Sequence, residues 1–215
     1  MAPILKLTLT GLLLTGMAQE AGAGTQRSRP LKTGQTTCWN SAGTAIDCTG
    51  TGHDGDLRKG EPRRRVDPGD GTIRDKRTAL TWEKLSDDGT IHDKDHTYTW
   101  AEAFQKIDDL NTAAFAGFSD WRLPNRFELE TLLNLESIDP AVSDVFNSDC
   151  GANSGGNPGC TVTTCSCTVV GYYWTSSTCA GQTQSAWVVD FGGGGVYDGI
   201  GKVLGNSVRA VRSGS

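Results

Sequence analysis

The sequence predicts an α+β fold, with two main helices packed on a mostly antiparallel sheet and supported by disulfides. Three observations predict it. Strand-like segments lie on either side of two segments with helical period, so that strands, helices and strands follow one another. The late strand candidates are joined by glycine-rich connections. Seven cysteines, Cys38, Cys48, Cys150, Cys160, Cys165, Cys167 and Cys179, all fall after residue 37.

The first residues have the character of a secretory leader. Lys6 is the only early positive charge, an apolar run extends from Leu7 to Ala18, and Ala21-Gly22-Ala23 offers the small side chains a signal peptidase reads. The run is well short of the roughly 20 residues that span a bilayer. Cleavage is expected after Ala23, and no later apolar stretch is long enough to serve as a membrane span. Removing 23 of 215 residues leaves 192, a length that suits one domain plus some irregular chain. Lys6 and Glu20 leave together, so the formal net charge stays at -5. Export to the periplasm, the cell surface or the medium turns most of the cysteines into disulfides, and an odd count leaves one unpaired within the chain.

Residues 24–68 read as an N-terminal arm, rich in Gly, Thr, Ser, Arg and Pro and without sustained apolar periodicity. Within it Cys38 and Cys48 flank WNSAGTAID, whose central turn residues suit a small hairpin closed by a local disulfide. Arg58, Lys59, Arg63, Arg64 and Arg65 form the one basic block, read as a solvated segment in preference to a polyanion contact. With an acidic balance overall, no nucleic-acid partner is expected.

The domain proper is expected over residues 69–215. The turn Gly69-Asp70-Gly71-Thr72-Ile73 precedes ALTWEKL at 79–85, the first strand of the domain. A helix follows from Trp100 to about Asn111: Thr99 and Glu102 make a capping box, and Ala103, Phe104, Ile107 and Leu110 recur at helical spacing. A second helix of about three turns begins after Pro124, with Asn125 as N-cap, Glu128 three residues on, and Leu129, Leu132 and Leu133 on one stripe. Asp139-Pro140 then opens a shorter helical piece through Phe146. Residues 147–168 form a cysteine-bearing loop that needs cross-links to hold a shape. Three strand candidates close the chain: YYWTSS at 172–177, AWVVDF at 186–191 and SVRAVR at 207–212. Neither face of the last is cleanly apolar, which a bulge or burial on both faces reconciles.

The strings GDGTIRD, ALTW, WAEAFQKIDDLN, DWRLPNRFELETLL, YYWTSS, SAWVVDF and SVRAVRSG together resemble the Lcl C-terminal domain family, named after a bacterial collagen-like adhesin. The similarity runs from about Gly69 to the end. It implies a C-type lectin-like fold used mainly for binding at bacterial surfaces, with no shared catalytic centre. The signature Asp120-Trp121-Arg122-Leu123-Pro124 is read as a packing corner in which Trp121 fills the core and Arg122 bonds carboxylates or backbone carbonyls.

Chemistry-bearing motifs are sparse. His92, Asp93, Asp95 and His96 sit in a polar insertion whose turn residues favour a solvated loop over a metal site. Asp67, Asp70 and Asp75 lack EF-hand spacing and read as a hairpin turn. Cys165-Ser166-Cys167 lacks C-x-x-C spacing and reads as part of structural bridges. No cofactor or metal is expected. With three histidines, all before residue 97, acid–base machinery is thinly supplied. The expected function is therefore an exported, non-catalytic binding or adhesion domain for a glycan or protein surface ligand. The alternatives are a cell-wall or polysaccharide-acting enzyme, for which Asp190 and Asp198 are the candidate carboxylates, and a structural envelope protein. The ligand surface is expected on the loops between the late strands, chiefly Gln182, Gln184, Tyr197, Asp198, Lys202 and Asn206.

Overall fold

The computed structural model describes residues 30–151 and 156–214, so the expected leader and its cleavage point lie outside the described residues. Near the start, β1 (Cys38–Trp39) and β2 (Ala45–Ile46) pair antiparallel as a hairpin, and the Cys38–Cys48 disulfide closes it as the spacing predicts. A single helical turn, α1 (Asp54–Leu57), leads into the main sheet.

That sheet has the order β3 (Arg65–Val66), β4 (Thr72–Asp75), β5 (Leu80–Glu83) and β9 (Val211–Ser213), antiparallel throughout. Between β5 and β9 run the helices α2 (Trp100–Thr112) and α3 (Arg126–Glu130). A second antiparallel sheet follows, β6 (Tyr172–Thr178), β7 (Ser185–Asp190) and β8 (Val196–Gly201), in sequence order.

Both expected capping boxes are present, Thr99 with Glu102 and Asn125 with Glu128. On α2 the buried stripe is Ala103, Lys106, Ile107 and Leu110. Phe104, expected on that stripe, is exposed and meets Trp100 edge-on. The second helix is shorter than its leucines suggest. After Glu130 the chain tightens into bonds from Thr131 to Glu128 and from Leu132 to Leu129, an i→i+3 pattern that ends the α-helix. Leu129, Leu132 and Leu133 are nevertheless all buried. No helix opens at Pro140, because the N–H groups of Asp139 and Ala141 bond Gly192 and Phe191 next to β7. Only one 3-10 turn, Asp144–Phe146, forms in that stretch.

The basic block is divided by its surroundings, not uniformly solvated. Arg64 is exposed, whereas Arg65 is buried against Asp75, Ser143 and the Thr131 carbonyl, and Arg63 bonds the Leu133 carbonyl. Nearby, the hydroxyls and backbone amides of Thr37 and Thr36 hold the Glu136 carboxyl at about 2. The segment before β4 is thus tied along its length to the loop after α3.

Residues 207–212 are buried on both sides, one of the two ways to reconcile their mixed pattern. Ser207 bridges Tyr173 of the second sheet in parallel, and Val211 bridges Trp82 of the first and Arg122 beyond α2. One segment therefore stitches the two sheets together. It also completes a buried polar cluster: Glu83 Oε2 accepts from the Ala210 amide at 2.9 Å and Lys106 Nζ at 3.1 Å, while Oε1 lies 2.8 Å from His92 Nδ1. Arg209 donates to the Glu83 carbonyl at 3.0 Å and to the Thr168 hydroxyl at 2.9 Å.

Burial alone would raise the Glu83 carboxyl, but the Lys106 ammonium, the His92 hydrogen bond and the Ala210 amide together bring it down to about 2. A carboxyl with a depressed folded-state pKa stabilises fully above its unfolded value of 4.5 and loses that contribution as pH falls through the folded value. Urea unfolding at a series of pH values should show stability falling between about pH 4.5 and 2, with about 3 kcal/mol assignable to Glu83. Glu83→Gln should be less stable at neutral pH by about 3 to 5 kcal/mol, having left Lys106 without its anion, and should show a shallower acid slope. An unchanged slope would remove Glu83 from the acid transition.

Candidate ligand-binding site

The second sheet is covered on both faces at its centre, Tyr173 and Val189 in one core cluster and Trp174 and Val188 in the other. Tyr173, Trp174, Val188 and Val189 are in the core, while β8 is the edge strand and leaves Tyr197 and Asp198 exposed. Across β7, Tyr172 at the start of β6 approaches Tyr197, with ring centroids 5.6 Å apart and exposures of 39% and 46%. Two exposed aromatic rings are thereby held side by side on a rigid support.

The chain that leaves β8 passes the start of α2 and returns to β6. Lys202 places its ammonium 3.9 Å from the centre of the Trp100 ring and bonds the Thr178 hydroxyl at 2.8 Å. Asn206 exchanges backbone hydrogen bonds with Tyr98 at 2.9 and 3.0 Å, and Trp174 Nε1 donates to the Tyr98 carbonyl. Glycine at 205 permits close passage, since a Cβ there would stand 3.0 Å from Thr97 Oγ1. Next to Asn206 opens a cleft of about 200 Å³ whose walls include Lys94, Asp95, Thr97, Val170 and Tyr172.

Of the six residues expected to bind ligand, four fall into two groups, while Lys202 stands apart on Trp100 and Thr178. Tyr197 abuts Tyr172, and Asn206 lies in the cleft wall, buried rather than open as a loop residue would be. At the other end of the sheet, Asp198 Oδ2 lies 3.9 Å from Cys179 Sγ, and a Cβ on Gly199 would meet Gln182 Oε1 at 3.4 Å. Gln184 accepts the Lys202 amide through its carbonyl, and its side chain joins neither group. Tyr172, Lys94, Asp95 and Thr97 escape a sequence reading because they come together only through the pairing of β6 with residue 207 and of Tyr98 with Asn206.

Larger clefts exist. One of about 550 Å³ lies beside Leu31, Phe127 and Leu135, and one of about 380 Å³ beside Arg74, Phe118 and Arg212. Their guanidinium groups are engaged, Arg63 on backbone carbonyls, Arg126 on Glu130 and Arg212 on Asp120.

The polar insertion is a loop, as expected, but it is not a solvated one, since Asp87 and Asp93 are buried. Carboxylate oxygens of Asp87, Asp93 and Asp95 gather within 4.8 Å of one another, and Lys94 Nζ stands 2.7 Å from Asp87 and 2.8 Å from Asp95. Asp93 accepts the amides of Gly89 and Asp95. His92 is held by Glu83 and packs on Phe115, 4.3 Å between ring centres. The earlier aspartates likewise shape a turn, with Asp67 on Lys84, Asp70 on Thr72 and Asp75 on Arg65. Cys165 and Cys167 enter separate bridges, Cys160–Cys165 and Cys150–Cys167, and the unpaired thiol is the buried Cys179.

The Asp120–Pro124 signature forms the corner expected of it. Trp121 is buried, its backbone N–H and C=O both bonded by the Asn111 amide and its indole N–H by the Phe115 carbonyl. Arg122 pairs with Glu128 at 2.7 and 2.6 Å, Asp120 with Arg212 at 2.7 and 3.2 Å, and the Pro124 carbonyl receives the Ser176 amide. Leu123 is buried below them.

Comparison with protein families finds that the family model described as the Lcl C-terminal domain matches residues 71–212, more than half of the chain. No curated protein matches the chain.

The geometry of the corner makes Trp121 part of the core. Trp121→Ala should lower unfolding stability by about 3 to 5 kcal/mol, the cost of emptying a buried aromatic site and orphaning its hydrogen-bond partners, while Arg64→Ala should change it by less than about 0.5 kcal/mol. Thermal and urea unfolding of the two variants measures the contrast.

Proposed function

The chain belongs to the Lcl C-terminal domain family, a bacterial surface-type, adhesin-like family, and on that premise we propose that it is an exported, non-catalytic binding module for a glycan. Residues 1–23 are its leader, 24–68 an N-terminal segment and 69–215 the domain, with the α+β arrangement taken as C-type lectin-like. Three disulfides support an oxidising, extracytoplasmic setting. Among the described residues no helix is long and apolar enough to cross a membrane.

The observation that carries the glycan reading is the exposed Tyr172–Tyr197 pair, with Lys94, Asp95 and Thr97 of the adjoining cleft beside Tyr172. Aromatic faces pack on the C–H surface of a sugar ring, while fixed polar groups meet its hydroxyls. A rigid sheet beneath them reduces the ordering cost of binding.

A glycan and cell-surface binding screen of the oxidised protein, repeated across salt concentrations, tests the proposal. With a hit in hand, replacing Tyr197, Asp198 and Lys202 together by alanine should weaken binding by about tenfold or more, about 1.4 kcal/mol, with the fold retained by circular dichroism. A folded triple mutant of undiminished affinity would take the β8 surface out of the site. Release of product from cell-wall material would replace the binding reading with the enzyme.

A further inference from the structure

The cleft of about 550 Å³ beside Leu31, Phe127 and Leu135 is held open by backbone bonds and one guanidinium. One wall is residues 30–33 with Arg63, outside the stretch that matches the family, and the other is α3 with the loop after it. Thr33 accepts the Leu135 amide at 2.9 Å, and Arg63 Nη2 donates to the carbonyls of both Thr33 and Leu133, so the two walls are tied to each other. Gly194, with φ +80°, lets the turn between β7 and β8 close on the same place, where a Cβ would stand 2.7 Å from Leu135 Cδ2. This cleft shares no wall residue with the one beside Tyr172.

Its lining is apolar and its charge is positive. Phe127 is 71% exposed and Leu135 41%, an apolar surface that the fold itself leaves in water. Three cations, Lys32, Arg63 and Arg126, stand against one carboxylate, Glu130, an excess of two. Arg126 reaches Glu130 at 3.4 Å and lies over the Phe127 and Trp187 rings, 4.9 and 4.8 Å from their centres. Among the described residues neither Lys32 nor Arg63 is paired with a carboxylate, and the Arg63 bonds go to carbonyl dipoles alone. An alkane would cover the apolar wall and leave these cations unanswered, while a small hydrophilic anion would answer them and leave Phe127 and Leu135 wet. A ligand with an apolar body and one anionic head meets both demands. The volume falls within the roughly 300 to 1,000 Å³ of clefts that enclose small molecules.

We propose that this cleft binds an amphiphilic carboxylate with the size and chemistry of a medium-chain fatty acid. The carboxylate lies toward Lys32 and Arg63, and the hydrocarbon packs on Phe127 and Leu135. Binding here is separate from the glycan site and does not depend on it.

The test is a titration, followed by NMR, of the oxidised, isotope-labelled protein with octanoate and, separately, with octanamide, its neutral counterpart. Octanoate should shift the amide resonances of Thr33, Phe127 and Leu135 with an affinity of about millimolar or tighter that falls as salt is raised, and octanamide should bind about tenfold or more weakly. Replacing Lys32 and Arg126 together by glutamine should bring octanoate down to the level of octanamide. Phe127→Ala removes an exposed side chain, so it should keep the melting temperature while weakening both ligands by about tenfold, and it serves as the second variant if the first does not fold. Octanoate that leaves these resonances unmoved, that binds no better than octanamide, or that binds Phe127→Ala as well as the parent would overturn the proposal. Self-association that Phe127→Ala abolishes would give the cleft to a second copy of the chain and overturn it too, as would a sulfated sugar that moves the same resonances where octanoate does not.

Discussion

Glu83 is a carboxylate with no solvent exposure, and a charge so placed persists only where other groups take over the role of water. Those groups arrive from separate parts of the chain: Lys106 from α2, His92 from the polar insertion, and the Ala210 amide from the last segment. Each alone is a local contact. Together they require that β5, the helix, the insertion and the carboxy-terminal segment occupy one arrangement, since a displaced partner would strand a buried charge. The apolar clusters on either side have no comparable directional demand, because hydrophobic burial is indifferent to register in a way that a hydrogen-bonded ion is not.

From that anchor the carboxy-terminal segment runs outward to the surface. Arg209 is locked by the Glu83 carbonyl and Thr168, Ser207 bridges Tyr173, and Asn206 meets Tyr98. The cleft near Tyr172 is therefore built on the same backbone that closes the core, a few residues further along. Binding groups positioned in this way lose little freedom on meeting a ligand, the condition under which a small site reaches useful affinity.

Local chemistry was the legible part. Two capping boxes, the Cys38–Cys48 hairpin and the burial of Trp121 each follow from a few adjacent residues. What escaped depends on partners far away in sequence. The three leucines after Asn125 promise a longer helix, but residues 131–133 switch to i→i+3 bonds and Leu133 bridges Val142 instead. Pro140 is well suited to open a helix until Phe191 claims the next amide. Arg63 and Arg65 have the composition of a solvated stretch, and only the carbonyls of Leu133 and Thr131 reveal that they are interior cations. In the candidate site, sequence named Tyr197 and Asn206, yet gave no means of pairing them with Tyr172 or with the insertion.

The stretch that matches the family begins at residue 71, whereas β3 lies at residues 65 and 66 and covers the outer edge of β4. A fragment cut to the matched stretch would present β4 as an open edge, its unpaired N–H and C=O groups available to a neighbouring molecule. It would also lose Arg65, the cation that faces Asp75, and so leave a buried carboxylate uncompensated at that same edge. The sheet that holds the matched stretch is accordingly wider than the stretch itself, and self-association of a shortened fragment would reflect its missing border strand and say nothing about how the whole chain assembles.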